Sequence, residues 1–205
     1  MKKLSLFLVL VIFTSGLSMG QAISDKVPIP IGVTLNKVSR MNITSGGSIE
    51  FVFNTIADYN SGKNSTAASD GTSLTQYQTA FNVASSSDFT VNLMAETEFT
   101  STDDTGAGTL AVNFLEFLLE NDGSYTFGVE NQIPLGNEYT TGTGGAAVSV
   151  TTTGDNIIVG SGNAGDINQN SFIIHWMLGT GVNFSTLLGN AAQGRYVTNV
   201  LLTLN

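Results

Sequence analysis

Cysteine, histidine and charge are scarce in this 205-residue chain, which has no cysteine and one histidine. The absence of cysteine excludes a disulfide scaffold, thiolate metal sites and a cysteine nucleophile. Charged residues make up 11% of the chain, and the formal net charge of −9 argues against a nucleic-acid partner because few cations could neutralise phosphates. With 41% hydrophobic residues, the chain is still expected to fold, and its length has room for one β-rich domain or two very small ones.

The first segment has the composition of a targeting signal. Residues 1–22 carry lysines at positions 2 and 3, continue with an apolar run at 4–13 and end in small residues, which is the layout of a secretory signal peptide. The apolar run is about half of the ~20 residues that a membrane span requires. We predict cleavage after Gly20 or Ala22 and an acidic protein without a membrane span, secreted to the outside or the surface of a bacterial cell.

The expected mature N-terminus alternates strictly between apolar and other residues. Its apolar positions are Val27, Ile29, Ile31, Val33 and Leu35. Such alternation predicts a strand with one apolar face. Pro28 and Pro30 remove two amide donors, which suits an edge strand of the same domain or a strand given to a partner, and both interpretations stay open. We therefore divide the mature chain into residues 23–38, a candidate donor strand, and a domain at 39–205.

Short apolar runs separated by Gly, Thr and Asn continue along the chain. They predict strands at residues 48–56, 74–83, 89–95, 125–129, 146–152, 156–159, 172–178 and 196–204, and a strand or short helix at 110–119. No long amphipathic helix stands out. The predicted fold is all-β, a single Ig-like antiparallel sandwich of about eight to ten strands.

The run at residues 172–178 is unusual because it is apolar on both faces. Phe172, Ile174, Trp176 and Leu178 share one face, and Ile173, His175 and Met177 share the other. A sandwich strand needs one apolar face, so the second is covered either by a loop of the same chain or by another chain. We take the second face, with the apolar residues of 27–35, as the candidate assembly interface.

Two patterns imitate ligand-binding loops. Residues 160–165 spell Gly-x-Gly-x-x-Gly after an apolar run, but no helical pattern follows to receive a pyrophosphate, so a Gly-rich hairpin loop is expected. Asp166, Asn168 and Asn170 match the first three positions of a calcium loop, which lacks the later glycine and glutamate. A calcium site there stays open beside ordinary Asx turns.

No residue pattern identifies a catalytic site. His175 is the only histidine, lies within an apolar run and has no Gly-x-Ser-x-Gly elbow to pair with. Glu96 and Glu98 would share a strand face roughly 7 Å apart, and we interpret them as part of a solvated face. We predict no enzyme activity, no cofactor and no metal site.

Two segments carry a family resemblance. Residues 194–204, Gly-Arg-Tyr-Val-Thr-Asn-Val-Leu-Leu-Thr-Leu, are similar to the closing strand of bacterial exported β-sandwich subunits, the spore-coat-protein-U-like pilins and WxL-type surface domains. Residues 83–93, a small polar run followed by an aromatic and an alternating strand, are similar to a strand in the middle of those domains. The resemblance implies an Ig-like sandwich with a structural role at the cell surface.

We therefore predict a non-enzymatic subunit of a bacterial fimbria-like filament, sheath or coat. Its partners would be further copies of itself or other surface subunits, joined by strand addition. The alternative is a monomeric surface adhesin or glycan-binding module that uses Tyr, Asn and Asp on its loops.

Overall fold

The computed structural model describes residues 29–65, 76–103, 109–124, 139–140, 143–144, 146–180 and 193–205. The chain divides into two units, Met1–Leu35 and Asn36–Asn205. The predicted signal peptide and the strand prediction at 125–129 lie outside the described residues. No helix of the described part has the length and apolar character to cross a membrane.

In the first unit, the described residues 29–35 form neither helix nor strand. Their apolar side chains are among the most exposed in the molecule. The exposed fractions are 81% for Ile29, 85% for Ile31, 78% for Val33 and 90% for Leu35.

The described part of the second unit contains fourteen strands. They are β1 (Ser39–Ser45), β2 (Lys63–Asn64), β3 (Gln78–Ser85), β4 (Val91–Ala95), β5 (Phe99–Ser101), β6 (Thr109–Leu110), β7 (Leu115–Asn121), β8 (Tyr139–Thr140), β9 (Thr143–Gly144), β10 (Val148–Ser149), β11 (Asp155–Ile158), β12 (Ser171–Leu178), β13 (Tyr196–Val197) and β14 (Val200–Leu204). A 3₁₀ turn (Val112–Phe114) precedes β7, so residues 110–119 contain both a short helix and a strand.

All strand pairs are antiparallel, and the predicted all-β sandwich is confirmed. One sheet has the order β1-β3-β12-β7-β10, with β2 paired to the end of β12. The opposing sheet has the order β11-β4-β14. Strands β13, β5 and β6 form a third, small sheet, and β8 pairs with β9. β1 and β14 are therefore edge strands, each paired on one side only among the described strands.

Alternation decides which side chains enter the core. In β3, residues at 79, 81, 83 and 85 are buried and those between them are half-buried. β4 buries Val91, Leu93 and Ala95 in the same way, and these side chains join the buried side chains of β3 and β12 in one cluster. Phe81 and Phe172 stack at its centre, with ring centroids 5.2 Å apart.

Several sequence-based predictions differ from the structure. The described residues 29–35 of the predicted N-terminal strand form no strand, and no strand was predicted at β2, β5, β8 or β9. Three further differences follow. β1 was not predicted, since every position except the half-buried Met41 is exposed and no alternation results. Residues 196–204 form two short strands in different sheets, β13 and β14, instead of one. The predicted strand at 48–56 is wrong, because these residues belong to no sheet.

Residues 47–53, the rim segment, explain the last error. Ile49, Phe51 and Phe53 are half-buried against the core, whereas Glu50 and Val52 are exposed. None of the backbone amides of this segment donates a hydrogen bond to another described residue. The alternation therefore reports burial of one side of the chain without strand pairing.

A short helix, α1 (Ile56–Ser61), follows the rim segment. Thr55 and Asp58 form a capping box, in which the Thr55 hydroxyl accepts from the Asp58 amide and the Asp58 carboxylate accepts from the Thr55 amide. The Lys63 ammonium donates to Asp58 Oδ1 at 2.7 Å. That hydrogen bond, followed by the one from the Asn54 amide, lowers the pKa of Asp58 from 3.8 to about 2.

Candidate functional site

An open cleft of about 860 Å³ lies between the edge strands of the two main sheets. β1 and the rim segment line one side, and residues 193–202, which include β13 and β14, line the other. Core side chains reach its floor, namely Thr79, Leu115, Trp176 and Leu178. The cleft thus opens the apolar interior of the sandwich along one edge.

Hydrogen bonds fix the floor of this cleft. The Trp176 indole donates to Thr79 Oγ1 at 2.8 Å, and that hydroxyl donates to the Gly46 carbonyl at 2.7 Å. Gly46 has φ +65°, and a Cβ there would meet the Gln78 carbonyl oxygen at 1.8 Å, so only glycine fits this close approach. After β1, the chain therefore passes over the floor of the cleft at Gly46 and continues into the rim segment.

The two sides of the cleft present unpaired backbone. The outer sides of β1 and β14 carry no described strand, and the amides of the rim segment donate to no described residue. Such edges are templates for pairing with another strand. The margins are also apolar, with Ile43 at 50%, Val52 at 48% and Leu201 at 42% exposure.

One ion pair joins the two sides. Arg195 Nε, before β13, lies 3.5 Å from Glu50 Oε1 on the rim segment, and both side chains are about two-thirds exposed. A pair so exposed contributes little, about 0–1 kcal/mol, and does not hold the cleft closed. The Arg195 amide is held separately, by Asp103 Oδ2 at 2.6 Å.

Charge is distributed unevenly between the N-terminal residues and the domain. Residues 26–40 contain Lys26, Lys37 and Arg40 and no acidic residue. Residues 41–205 contain fifteen acidic residues against only two basic ones. The apolar positions 29–35 are therefore flanked by cations, whereas the body that carries the cleft is strongly anionic.

The second face of β12 does not reach the cleft. Ile173 is half-buried, His175 is 3% exposed and Met177 is 6% exposed, and none of the three lines the cleft. Trp176 and Leu178, from the opposite face, line it instead. The structure thus does not bring the three candidate interface residues of this strand to the open edge.

His175 is the buried centre of a polar cluster, which we define as Ser65, Gln78, Glu120 and His175. Its Nδ1 lies 3.1 Å from Ser65 Oγ and 3.2 Å from Gln78 Nε2. Its Nε2 lies 2.5 Å from Glu120 Oε2. Hydroxyl, imidazole and carboxylate stand in the order that activates a nucleophile.

Sequence reasoning found His175 but missed its partners. Gln78 is the register partner of His175 across β3, and Glu120 lies diagonally across β7, two residues beyond Leu118, which is its direct partner. These pairings join residues 97 and 55 positions apart, so only the strand order reveals them. Ser65 follows β2, whose pairing with β12 was not foreseen.

The other candidate motifs have ordinary structural partners. Glu96 and Glu98 lie in the turn after β4, not on a strand face as expected, and accept from the Asn199 amide side chain and the Val112 backbone amide. Asp166 Oδ1 accepts from the backbone amides of residues 168 and 169, which is an Asx turn. In the described part of the chain, no three His, Cys, Asp or Glu residues group as metal ligands, and no helix follows residues 160–165.

No protein-family model and no curated protein sequence matches this chain. The resemblance of residues 83–93 and 194–204 to exported surface subunits therefore stays a prediction.

Proposed function

We propose that the protein is a non-enzymatic structural subunit of a bacterial extracellular or cell-surface assembly, exported by its N-terminal signal. Subunits join by strand addition, in which residues 27–35 of one copy enter the cleft of the next. The observation that carries the proposal is the exposure of Ile29, Ile31, Val33 and Leu35, each of which is at least 78% exposed. A contact of this kind does not close on itself, so repetition gives a filament or a coat.

The alternation of the segment suits a cleft with an apolar floor. Seven residues in an extended strand span roughly 20–23 Å and place alternate side chains on one face. The odd-numbered apolar side chains would face the floor at Trp176 and Leu178. The backbone of the even-numbered positions would pair with an unpaired edge, at β14 or at β1, although Pro28 and Pro30 remove two donors.

The energies make this association reversible rather than obligatory. Burying four aliphatic side chains contributes about 6–12 kcal/mol, at about 1.5–3 kcal/mol each. Lost translational and rotational freedom costs about 4–15 kcal/mol, so the main-chain hydrogen bonds and charge attraction decide the affinity. The cationic flanks of the segment and the anionic domain supply that attraction.

The alternative function is a monomeric adhesin or glycan-binding module. Phe51, Phe53 and Tyr59 all line the cleft, and aromatic rings on an open surface can stack against a sugar. In that case the cleft receives a glycan instead of a strand, and the chain stays monomeric.

The first experiment compares residues 23–205 with residues 36–205 by light scattering over a range of concentrations. The shorter chain keeps every core residue, since the buried cluster lies within Asn36–Asn205. We expect the longer chain to form multimers and the shorter one to stay a folded monomer that binds a peptide of residues 27–35. A longer chain that is monomeric at every concentration would overturn the proposal and leave the glycan alternative to be tested.

A disulfide trap locates the contact, because the natural chain has no cysteine to interfere. The longer chain carrying V33C is mixed with the shorter chain carrying L201C, at the margin of the cleft. The matched control acceptor carries I167C, which is about as exposed (48%) but lies between β11 and β12. Cross-linking to L201C and not to I167C supports the cleft, and equal cross-linking to both rejects it.

A further inference from the structure

The polar cluster around His175 takes no part in the proposed assembly, and its geometry is that of a reaction centre. One ring nitrogen, His175 Nδ1, is within hydrogen-bond distance of both a hydroxyl oxygen, on Ser65, and a carboxamide nitrogen, on Gln78. The other ring nitrogen faces the Glu120 carboxylate. A nucleophile and an acyl group thus both contact one base, whose ring is buried.

Hydrogen-bond donors and acceptors determine the tautomer. The Glu120 carboxylate accepts, so the imidazole proton belongs on Nε2 and is donated to it. The Ser65 hydroxyl and the Gln78 amide are both donors toward Nδ1, which is then the unprotonated nitrogen. His175 is therefore arranged to take a proton from Ser65, with Glu120 as the positioning residue.

We propose that Ser65 and Gln78 become joined by an intramolecular ester. Ser65 Oγ attacks the carboxamide carbon Cδ of Gln78, and its proton passes to His175 Nδ1. The tetrahedral intermediate then collapses as His175 returns that proton to Gln78 Nε2, the C–N bond breaks and ammonia leaves. The products are one ester bond and one ammonia molecule, and no oxidant, cofactor or further reactant is required.

Both reacting residues are held by the same strand. The Ser65 amide donates to the Trp176 carbonyl at 3.2 Å, and the Trp176 amide donates to the carbonyl of Tyr77, the residue before Gln78. Because both residues are fixed against β12 and both contact His175 Nδ1, part of the entropy of bringing them together is already lost on folding.

Burial partly shields the product. Ser65 is 4% exposed, His175 is 3% exposed and Gln78 is half-buried, so an ester between Ser65 and Gln78 would be shielded from water on its Ser65 side. The bond would link residues 65 and 78 in a chain that has no cysteine and cannot form a disulfide. It gives an exported subunit a covalent brace between β2 and β3.

The test is the intact mass of the folded chain of residues 23–205. We expect a mass about 17 Da below that of the sequence, which is the loss of one ammonia. Starting at Ile23 removes Gln21, whose cyclisation at a free N-terminus would release ammonia too. Chymotrypsin, which cuts after Leu74 and Tyr77, should yield one species that contains both residue 65 and residue 78, and alkaline hydroxylamine should separate it.

Matched variants assign the reaction to the cluster. Ser65→Ala should have the full sequence mass. In Glu120→Gln, most or all of the molecules should have the full sequence mass. Thermal unfolding should show that both variants still fold. The control Ser61→Ala removes a hydroxyl that donates to the Ala57 carbonyl in α1, and it should keep the 17 Da loss. A natural chain with the full sequence mass overturns the proposal, as does a mass loss located in a peptide that lacks either residue.

Discussion

Two alanine substitutions in the N-terminal segment separate assembly from folding. Ile31 and Val33 are 85% and 78% exposed in the single chain, so Ile31→Ala with Val33→Ala removes few contacts within it. We expect the double variant to unfold at the same temperature as the natural chain. Its assembly should be strongly weakened, because the same side chains are buried only when the segment enters a cleft.

The size of the effect follows from the atoms removed. Ile→Ala deletes three carbons and Val→Ala deletes two, and each buried methylene or methyl contributes about 0.8 kcal/mol. The loss is about 4 kcal/mol, which corresponds to a dissociation constant raised by about three orders of magnitude. Each single variant should lie near the midpoint of that range on a logarithmic scale.

The assay is sedimentation velocity or light scattering over a wide concentration range. Val38→Ala is the matched control, since Val38 is also exposed (66%) but lies outside residues 27–35, next to β1. If assembly depended only on general surface hydrophobicity, Val38→Ala and Val33→Ala would weaken it equally. Strand donation by this segment would be refuted if the double variant assembled at the same concentrations as the natural chain, or if Val38→Ala weakened assembly equally.

Three further outcomes are expected. The association rate should fall about tenfold or more as ionic strength rises from about 0.05 to 0.5 M, because residues 26–40 are cationic and residues 41–205 anionic; a rate independent of salt would exclude charge steering. Phe172→Ala should lower the free energy of unfolding by about 3–5 kcal/mol in urea titrations, since its ring is fully buried; a loss below about 1 kcal/mol would contradict the described core. The Asp58 carboxyl should titrate near pH 2 by NMR. Because the folded pKa of this carboxyl is lowered, its contribution to stability is present above about pH 4 and is lost as the pH falls through 2. Lys63→Met should raise the midpoint of that titration toward 3.8, and an unchanged midpoint would show that Lys63 is not the main cause.

The sequence predicted the strands that both bury side chains and pair with a neighbouring strand. Its predictions failed for segments that have only one of these two properties. β3 and β4 alternate because one face of each packs into the interior of the sandwich, whereas β12 is apolar on both faces because both are largely buried. β1 was missed because its apolar side faces the open cleft, which leaves no reason for the pattern to be strict. The alternation of residues 48–56 predicts a strand, although the rim segment half-buries its apolar side chains without a ladder.

Of the candidate site, only the N-terminal segment could be predicted from the sequence. The alternation of residues 27–35 is local and visible in the printed sequence, and the two prolines indicate a strand that is not central. The cleft is formed by segments as far apart as β1 and β14, and the polar cluster by Ser65 and His175, 110 residues apart. Contacts over such separations depend on strand order, which hydrophobic periodicity does not specify.

The burial of alternating segments within the domain helps to interpret residues 29–35, which lie outside it. β3 and β4 bury the apolar side of their alternation, and even the unpaired rim segment half-buries it. Residues 29–35 alternate as strictly, yet leave Ile29, Ile31, Val33 and Leu35 more exposed than the apolar margins of the cleft. If alternation reports burial throughout this chain, the segment is matched to a surface that it meets only after folding. An open apolar edge with unpaired backbone and opposite charge is such a surface, and every copy of the chain carries both parts.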